Sequence, residues 1–307
     1  EVTIIFQQAK KENNAPQIIK SLIHKIKYLQ EVEEDSAYKI FNELEKEIKE
    51  SEYPTKPVLQ ALAANLLWSY YQQNRYTYLN RTQTVDFKLN DIRTWDLRKI
   101  IEKVVAYHQS SLKNSEKLKQ TKIDILDPVL TKGTLEGRFL RPTLFDFLAH
   151  RAVDFFSYSE AGLTRPADEF SINTPDYFAP EAQFSDFKIS TQDALAFTYY
   201  AAKVFQELTR FHLNDKDPAA LIDITLKRLT FIYNKSVLEE KHSLYEQALK
   251  SLMEKYKAHP SSTEAAYLLG IYYNNLGNQY HPKTAPQYKE YKKTAYGICK
   301  KALEDFP

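Results

Sequence analysis

The chain has little glycine, a single cysteine and no long apolar run, and each shortage excludes a class of structure. Glycine accounts for 6 of 307 residues, whereas an average composition of about 7% would give roughly 21. Hairpin-rich β folds and glycine-loop nucleotide folds are therefore disfavoured. Because Cys299 is the only cysteine, neither an intrachain disulfide nor a multi-cysteine metal site can form. No run of about 18 consecutive residues is apolar, so we predict no transmembrane segment in this sequence.

The acidic and basic residues almost balance. Lys and Arg total 42, Asp and Glu total 40, and the formal net charge is +2. This balance provides no overall attraction to nucleic acid or to an anionic membrane surface, so we expect no nucleic-acid partner. The first residue is Glu1 rather than Met, and we expect the chain to be a piece of a longer polypeptide.

Apolar residues recur at helical spacing along almost the whole chain, as at Ile18, Leu22 and Ile26. Together with the scarcity of glycine, this spacing predicts an all-α fold of antiparallel helix pairs stacked into a curved array, an α-solenoid. The segment from Pro142 to about Phe156 is apolar nearly all the way round. Such a helix is expected at the centre of a core.

We predict one continuous superhelical unit with three segments: an N-terminal helical-pair array over 1–120, the central buried helix with a long proline-containing loop over 121–189, and a tetratricopeptide-like array over 190–307. The last segment carries the most specific repeat spacing. Its signal consists of small and apolar residues at helix crossings and prolines after second helices: Ala248, Leu252, Pro260, Leu269, Gly270, Tyr273, Ala295, Cys299, Ala302 and Pro307. Because the final helix carries apolar residues on more than one face, we expect the native polypeptide to continue.

One row of polar residues could support chemistry. Asp146, His150 and Asp154 are four residues apart, which places them in one row along the predicted central helix. A His between two carboxylates has a raised pKa and can act as an acid or a metal ligand. No second row completes a site, so we favour a hydrogen-bonded polar row and predict no enzyme, no cofactor and no metal. A helical metal-dependent enzyme remains an alternative. We expect His108 to be a core histidine with one hydrogen-bonded nitrogen.

The stretch from Tyr70 to Thr84 interleaves aromatic residues with Asn and Arg and contains no acidic residue. Exposed clusters of this composition are enriched at protein interfaces. We therefore predict a protein-interaction surface formed by this stretch and the nearby tryptophan, with these candidate residues: Arg75, Tyr76, Tyr78, Arg81 and Trp95. The competing interpretation is that the stretch is buried against the central helix, where Arg75 or Arg81 pairs with Asp146 or Asp154.

Several segments, taken in order, resemble one known family. They are IKYLQEVEED (Ile26 to Asp35), QQNRYTYLNRTQT (Gln72 to Thr84), DIRTWDLRKI (Asp91 to Ile100), KGTLEGRFLRPTLFDFLAHRAVDFF (Lys132 to Phe156), EAGLTRPADEF (Glu160 to Phe170) and LKRLTFIYNKSVL (Leu226 to Leu238). Together these segments resemble the N-terminal helical region of the very large α-2-macroglobulin-like proteins of Bacteroidetes. The resemblance implies a place in the cell envelope or periplasm, ahead of a series of β-sandwich macroglobulin domains.

Relatives in that family trap proteases through a bait region, and some carry a thioester. A thioester requires a Cys-Gly-Glu-Gln run, whereas Cys299 is followed by Lys300, Lys301 and Ala302. We therefore expect a non-enzymatic scaffold or docking module, with other domains of the same polypeptide or an envelope protein as partner. A free-standing repeat protein that binds peptides is the first alternative.

Overall fold

The fold is helical throughout the described part of the chain. A computed structural model describes residues 1–33, 36–79, 88, 91–131, 133–158 and 169–307. Within these ranges there is no β-strand, only isolated bridges, which confirms the predicted all-α class. No helix in these ranges combines the length and the apolar character needed to cross a membrane.

The described α-helices, in chain order, are α1 (Val2–Lys11), α2 (Ala15–Val32), α3 (Ala37–Glu50), α4 (Thr55–Gln73), α5 (Arg75–Leu79), α6 (Leu97–Leu112), α7 (Ser115–Gln120), α8 (Leu135–Leu140), α9 (Leu144–Phe156), α10 (Glu181–Asp186), α11 (Phe197–His212), α12 (Ala219–Lys235), α13 (Lys241–Lys255), α14 (Ser262–Gly277) and α15 (Tyr291–Asp305). Short 3-10 helices join some of them, including one at Pro175–Phe178. Within each part of the chain, helices that are close in sequence pack against each other.

The chain divides into two compact units. The first contains residues 1–169 and 193–197, and the second contains 170–192 and 198–307. These bounds differ from the three predicted segments. The predicted boundary after residue 189 followed the return of helical periodicity at Ser190, but periodicity does not show which neighbours a segment contacts.

The first unit is centred on α4, α6 and α9. Ten of the thirteen residues of α9 are buried, because apolar side chains surround this helix on nearly every side. It packs against α4, α6 and α7. The apolar faces of α4 and α6 supply further core residues, among them Leu59, Ile100 and Val104, each with no exposed surface.

In the second unit, α12 to α15 pack consecutively. The approach between α14 and α15 is especially close at Gly270. A Cβ atom added there would lie 2.6 Å from the Sγ of Cys299 and 3.8 Å from the carbonyl oxygen of Ala295. A larger residue would hold the two helices apart, so the close approach that the small residues predicted is present.

Candidate protein-interaction groove

The second unit contains a groove of about 820 Å³ between α12, α14 and α15. We call it the α12/α14/α15 groove. Most of its lining is apolar, and the apolar lining residues are Leu226, Tyr267, Leu268, Ala302, Leu303 and Phe306. Groove volumes of several hundred Å³ or more are typical of binding sites.

The helices that form the groove leave large apolar side chains in contact with solvent. Tyr267 is 62% exposed and Leu303 is 69% exposed. The last helix, α15, buries only Ala295. Scattered exposed apolar residues are normal on a monomer, but a contiguous set within one groove indicates an interaction surface.

The electrostatic character of the groove is set by two carboxylates on different helices. Asp223 on α12 and Glu264 on α14 both line it, together with Lys227. Partial burial by the groove walls raises the pKa of Glu264, and the Asp223 carboxylate raises that pKa further. Both effects disfavour the charged form of Glu264. A cation placed near both carboxylates would relieve their mutual repulsion.

The predicted row on α9 consists of two buried residues and one exposed residue. Asp146 is fully buried and forms a capping box, in which its Oδ2 accepts hydrogen bonds from the backbone N–H (3.0 Å) and the hydroxyl (2.7 Å) of Thr143. His150 is buried, whereas Asp154 is exposed. Within the described ranges, no group of three or more His, Cys, Asp or Glu side chains is placed to hold a metal ion.

His108 is a core residue, as predicted, but neither ring nitrogen has a hydrogen-bond partner among the described residues. The expectation of one hydrogen-bonded nitrogen is therefore wrong. The ring stacks on Phe155 with 4.9 Å between centroids and is tilted against Phe156. Burial, together with the positive charge of Arg151, lowers the pKa of His108 from 6.5 to about 4. Aromatic packing, rather than hydrogen bonding, holds this imidazole in its neutral form.

The predicted interaction surface around Tyr70 to Thr84 is only partly exposed. Tyr76 is 83% exposed and Arg75 is half-buried, whereas Tyr78 is buried. The Tyr78 hydroxyl donates a hydrogen bond of 3.0 Å to the carbonyl oxygen of Ile92, and its ring contacts α4. Burial leaves this side chain no surface to offer a partner. The interaction prediction therefore does not hold for Tyr78.

The same correction applies to Trp95. Its side chain is buried, its Nε1–H donates a hydrogen bond of 3.0 Å to the carbonyl oxygen of Lys88, and its ring meets Phe41 edge-on. Arg81 lies outside the described residues. The interaction prediction consequently stays a prediction for Arg75, Tyr76 and Arg81.

Sequence reasoning missed a buried charged cluster in the second unit. Arg228 on α12 is 1% exposed, and its guanidinium donates hydrogen bonds to the carbonyl oxygens of Tyr177 (3.0 Å) and Ala179 (2.9 Å). Glu181, also buried, pairs with Lys255 at 2.8 Å. Burial lowers the pKa of Arg228 to about 10, and Glu181 opposes that shift. An Arg among the apolar residues of α12 was the available sequence signal, because a cation in such a helix needs buried partners.

The groove was also missed, although its sequence signal was present. Tyr267 and Ile271 are four residues apart on α14, and both are exposed. Helical spacing alone could not distinguish this exposed stripe from a core stripe. No protein-family model, curated protein or solved structure matches the chain, so these comparisons assign it to no family.

Proposed function

We propose that this chain is a non-enzymatic helical docking module whose interaction surface is the α12/α14/α15 groove. The observation that supports this proposal is the exposure of Tyr267 and Leu303 within one largely apolar groove. Covering these side chains would remove apolar surface from water, at about 25 cal/mol for each Å² that is buried. The groove therefore favours protein association.

The proposal includes an architecture of stacked helix pairs with degenerate tetratricopeptide-like repeats in the second unit. Consecutive packing of α12 to α15 and the close approach at Gly270 support it. Arrays of this kind build extended surfaces from successive helices, and such surfaces suit binding better than catalysis.

The resemblance noted from the sequence supports a setting for the module. We infer that it belongs to the N-terminal helical region of a cell-envelope α-2-macroglobulin-like protein, where another domain of the same polypeptide or an envelope protein would occupy the groove. A free-standing repeat protein that binds peptides would use the same groove. The two settings differ in the length of the native polypeptide.

Site-specific photo-crosslinking in the native cells tests the docking proposal. A photoreactive phenylalanine derivative would replace Leu303 in the groove. In a matched control it would replace Glu254, which is exposed on α13 and does not line the groove. We expect a discrete crosslinked product from position 303 and none from position 254. An intramolecular product identifies a domain of the same polypeptide, and an intermolecular product identifies a separate protein.

The same crosslinking pattern from both positions would contradict the docking proposal. Absence of any product from position 303 would contradict it equally, since a docked partner must lie within reach of that side chain. Circular dichroism of both variants checks that the helical fold is retained.

A further inference from the structure

We propose that the occupant of the α12/α14/α15 groove is an amphipathic helix of a partner protein that carries a Lys or Arg within its apolar stripe. This inference rests on the docking function proposed above and adds the chemistry of the partner. It draws on the helical spacing of the exposed apolar residues and on the placement of the two groove carboxylates.

The spacing of the exposed apolar residues fits a helix. On α14, Tyr267 and the 38%-exposed Ile271 are four residues apart. On α15, Tyr296 and Leu303 are seven residues apart, with exposures of 68% and 69%. Tyr267 and Leu303 line the groove, and Ile271 and Tyr296 continue the same sides of their helices beyond its lining. A third helix can therefore lay its apolar stripe between α14 and α15. Pairing with an added strand is not available here, because no strand edge occurs among the described residues.

The carboxylates favour a basic partner. Glu264 has no ion-pair partner among the described residues, and the Asp223 carboxylate, which lines the same groove, raises the pKa of Glu264. Among the described residues that line the groove, Lys227 is the one cation, and it lies on α12 with Asp223. A basic side chain reaching Glu264 from the partner would oppose the repulsion by Asp223, whereas an acidic one would increase it.

A second copy of the chain is the competing occupant, since α15 carries Lys292, Lys293, Lys300 and Lys301 on its exposed surface. Sedimentation velocity of the isolated chain measures whether it forms a dimer, and so distinguishes a partner protein from a second copy. We expect no dimer that depends on Leu303.

The partner chemistry is tested with two synthetic helical peptides that are identical except at the centre of a leucine stripe. One carries lysine there (the lysine peptide) and the other carries glutamate (the glutamate peptide). Fluorescence anisotropy at low ionic strength measures their binding to the wild type. We expect the lysine peptide to bind about tenfold more tightly, the size of effect that one attractive and one repulsive partly exposed charge pair produce together. High salt should reduce this preference.

Three variants connect the preference to the groove. Glu264→Gln should reduce it to about threefold, because one carboxylate is lost. Glu254→Gln removes the same charge outside the groove and should leave the preference unchanged. Leu303→Asp should weaken the binding of both peptides by at least tenfold. The fold should be retained in this variant, because Leu303 is largely exposed.

Each outcome decides one of the two proposals. If the two peptides bind the wild type equally and bind Leu303→Asp much more weakly, the basic partner is overturned and the docking function is kept. If the peptides bind Leu303→Asp as tightly as the wild type, both proposals are overturned. No binding of either peptide would overturn the amphipathic-helix partner and leave the docking function to the crosslinking experiment. A dimer that Leu303→Asp dissolves would make the occupant a second copy and overturn the partner protein.

Discussion

Alanine substitutions at two glycines test how closely α14 and α15 approach each other, which sets the shape of the groove. A Cβ atom at Gly277 would lie 3.0 Å from the backbone nitrogen of Lys292 and 2.6 Å from its Cγ. The lysine side chain can rotate away, but the backbone nitrogen can move only if α15 moves. A Cβ atom at Gly297, on exposed surface of α15, would meet no atom within 4 Å.

The expected magnitudes follow from these distances. Gly297→Ala should stabilise the second unit by about 1 kcal/mol, because alanine loses less conformational freedom than glycine in a helix interior. Gly277→Ala introduces a methyl group into a closely packed crossing, which typically costs about 1–3 kcal/mol. Gly277 is the last residue of its helix, so its gain in helix propensity is small. The two variants should therefore differ by about 2–4 kcal/mol.

Differential scanning calorimetry measures the difference, which corresponds to a separation of roughly 5–15 °C between the two melting temperatures. The more stable variant should be Gly297→Ala. The melting temperature of a third variant, Gly270→Ala, should lie between those of the other two. Adding Cys299→Ala should restore it, since the conflicting atom at Gly270 is the Cys299 thiol. If Gly277→Ala melts at or above Gly297→Ala, the two helices do not approach as closely as described, and the groove geometry would be wrong.

Further substitutions test the interior of the two units. His108→Leu should reduce the loss of stability in acid. In the wild type, the unfolded imidazole has a pKa near 6.5 and binds a proton that the buried ring, with a pKa of about 4, does not bind. The free energy of unfolding of the wild type, measured by urea unfolding, should therefore fall by about 3 kcal/mol as the pH drops from 6.5 to 4. Arg228→Met should destabilise the second unit by about 3–5 kcal/mol in urea unfolding, because the Arg228 carbonyl partners lose their hydrogen bonds and the buried Glu181 loses a positive neighbour. In thermal unfolding, Tyr78→Ala should lower the free energy of unfolding by about 3–5 kcal/mol, whereas Tyr76→Ala should lower it by less than about 0.5 kcal/mol. Equal losses of stability in the two variants would contradict the burial assigned to Tyr78.

Local features of the fold could be predicted from the sequence. Helical spacing predicted the all-α class, and the apolar circumference of the segment from Pro142 to Phe156 predicted a mostly buried helix. The small residues Gly270 and Cys299 predicted a close helix crossing. In each case the physical cause lies within one or two turns of helix, which a sequence displays directly.

Features that depend on distant partners could not be predicted in this way. Tyr78 is buried, and its hydroxyl is bonded to the carbonyl oxygen of Ile92, which lies fourteen residues later in the chain. Arg228 is buried because carbonyls about fifty residues earlier accept its hydrogen bonds. Periodicity gives the side of a helix that is apolar but not the residues that cover it. For that reason it also could not show that the stripe on α14 remains open.

Methyl NMR of the isolated chain, titrated with the lysine peptide, tests the central claim most directly. The claim is that the α12/α14/α15 groove accepts a helix. We expect the methyl resonances of Leu226, Leu268 and Leu303, one on each groove helix, to shift together as the peptide is added, while those of Leu249, fully buried on α13, stay in place. Unchanged groove resonances at peptide saturation, or shifts as large at Leu249 as at Leu303, would contradict the claim.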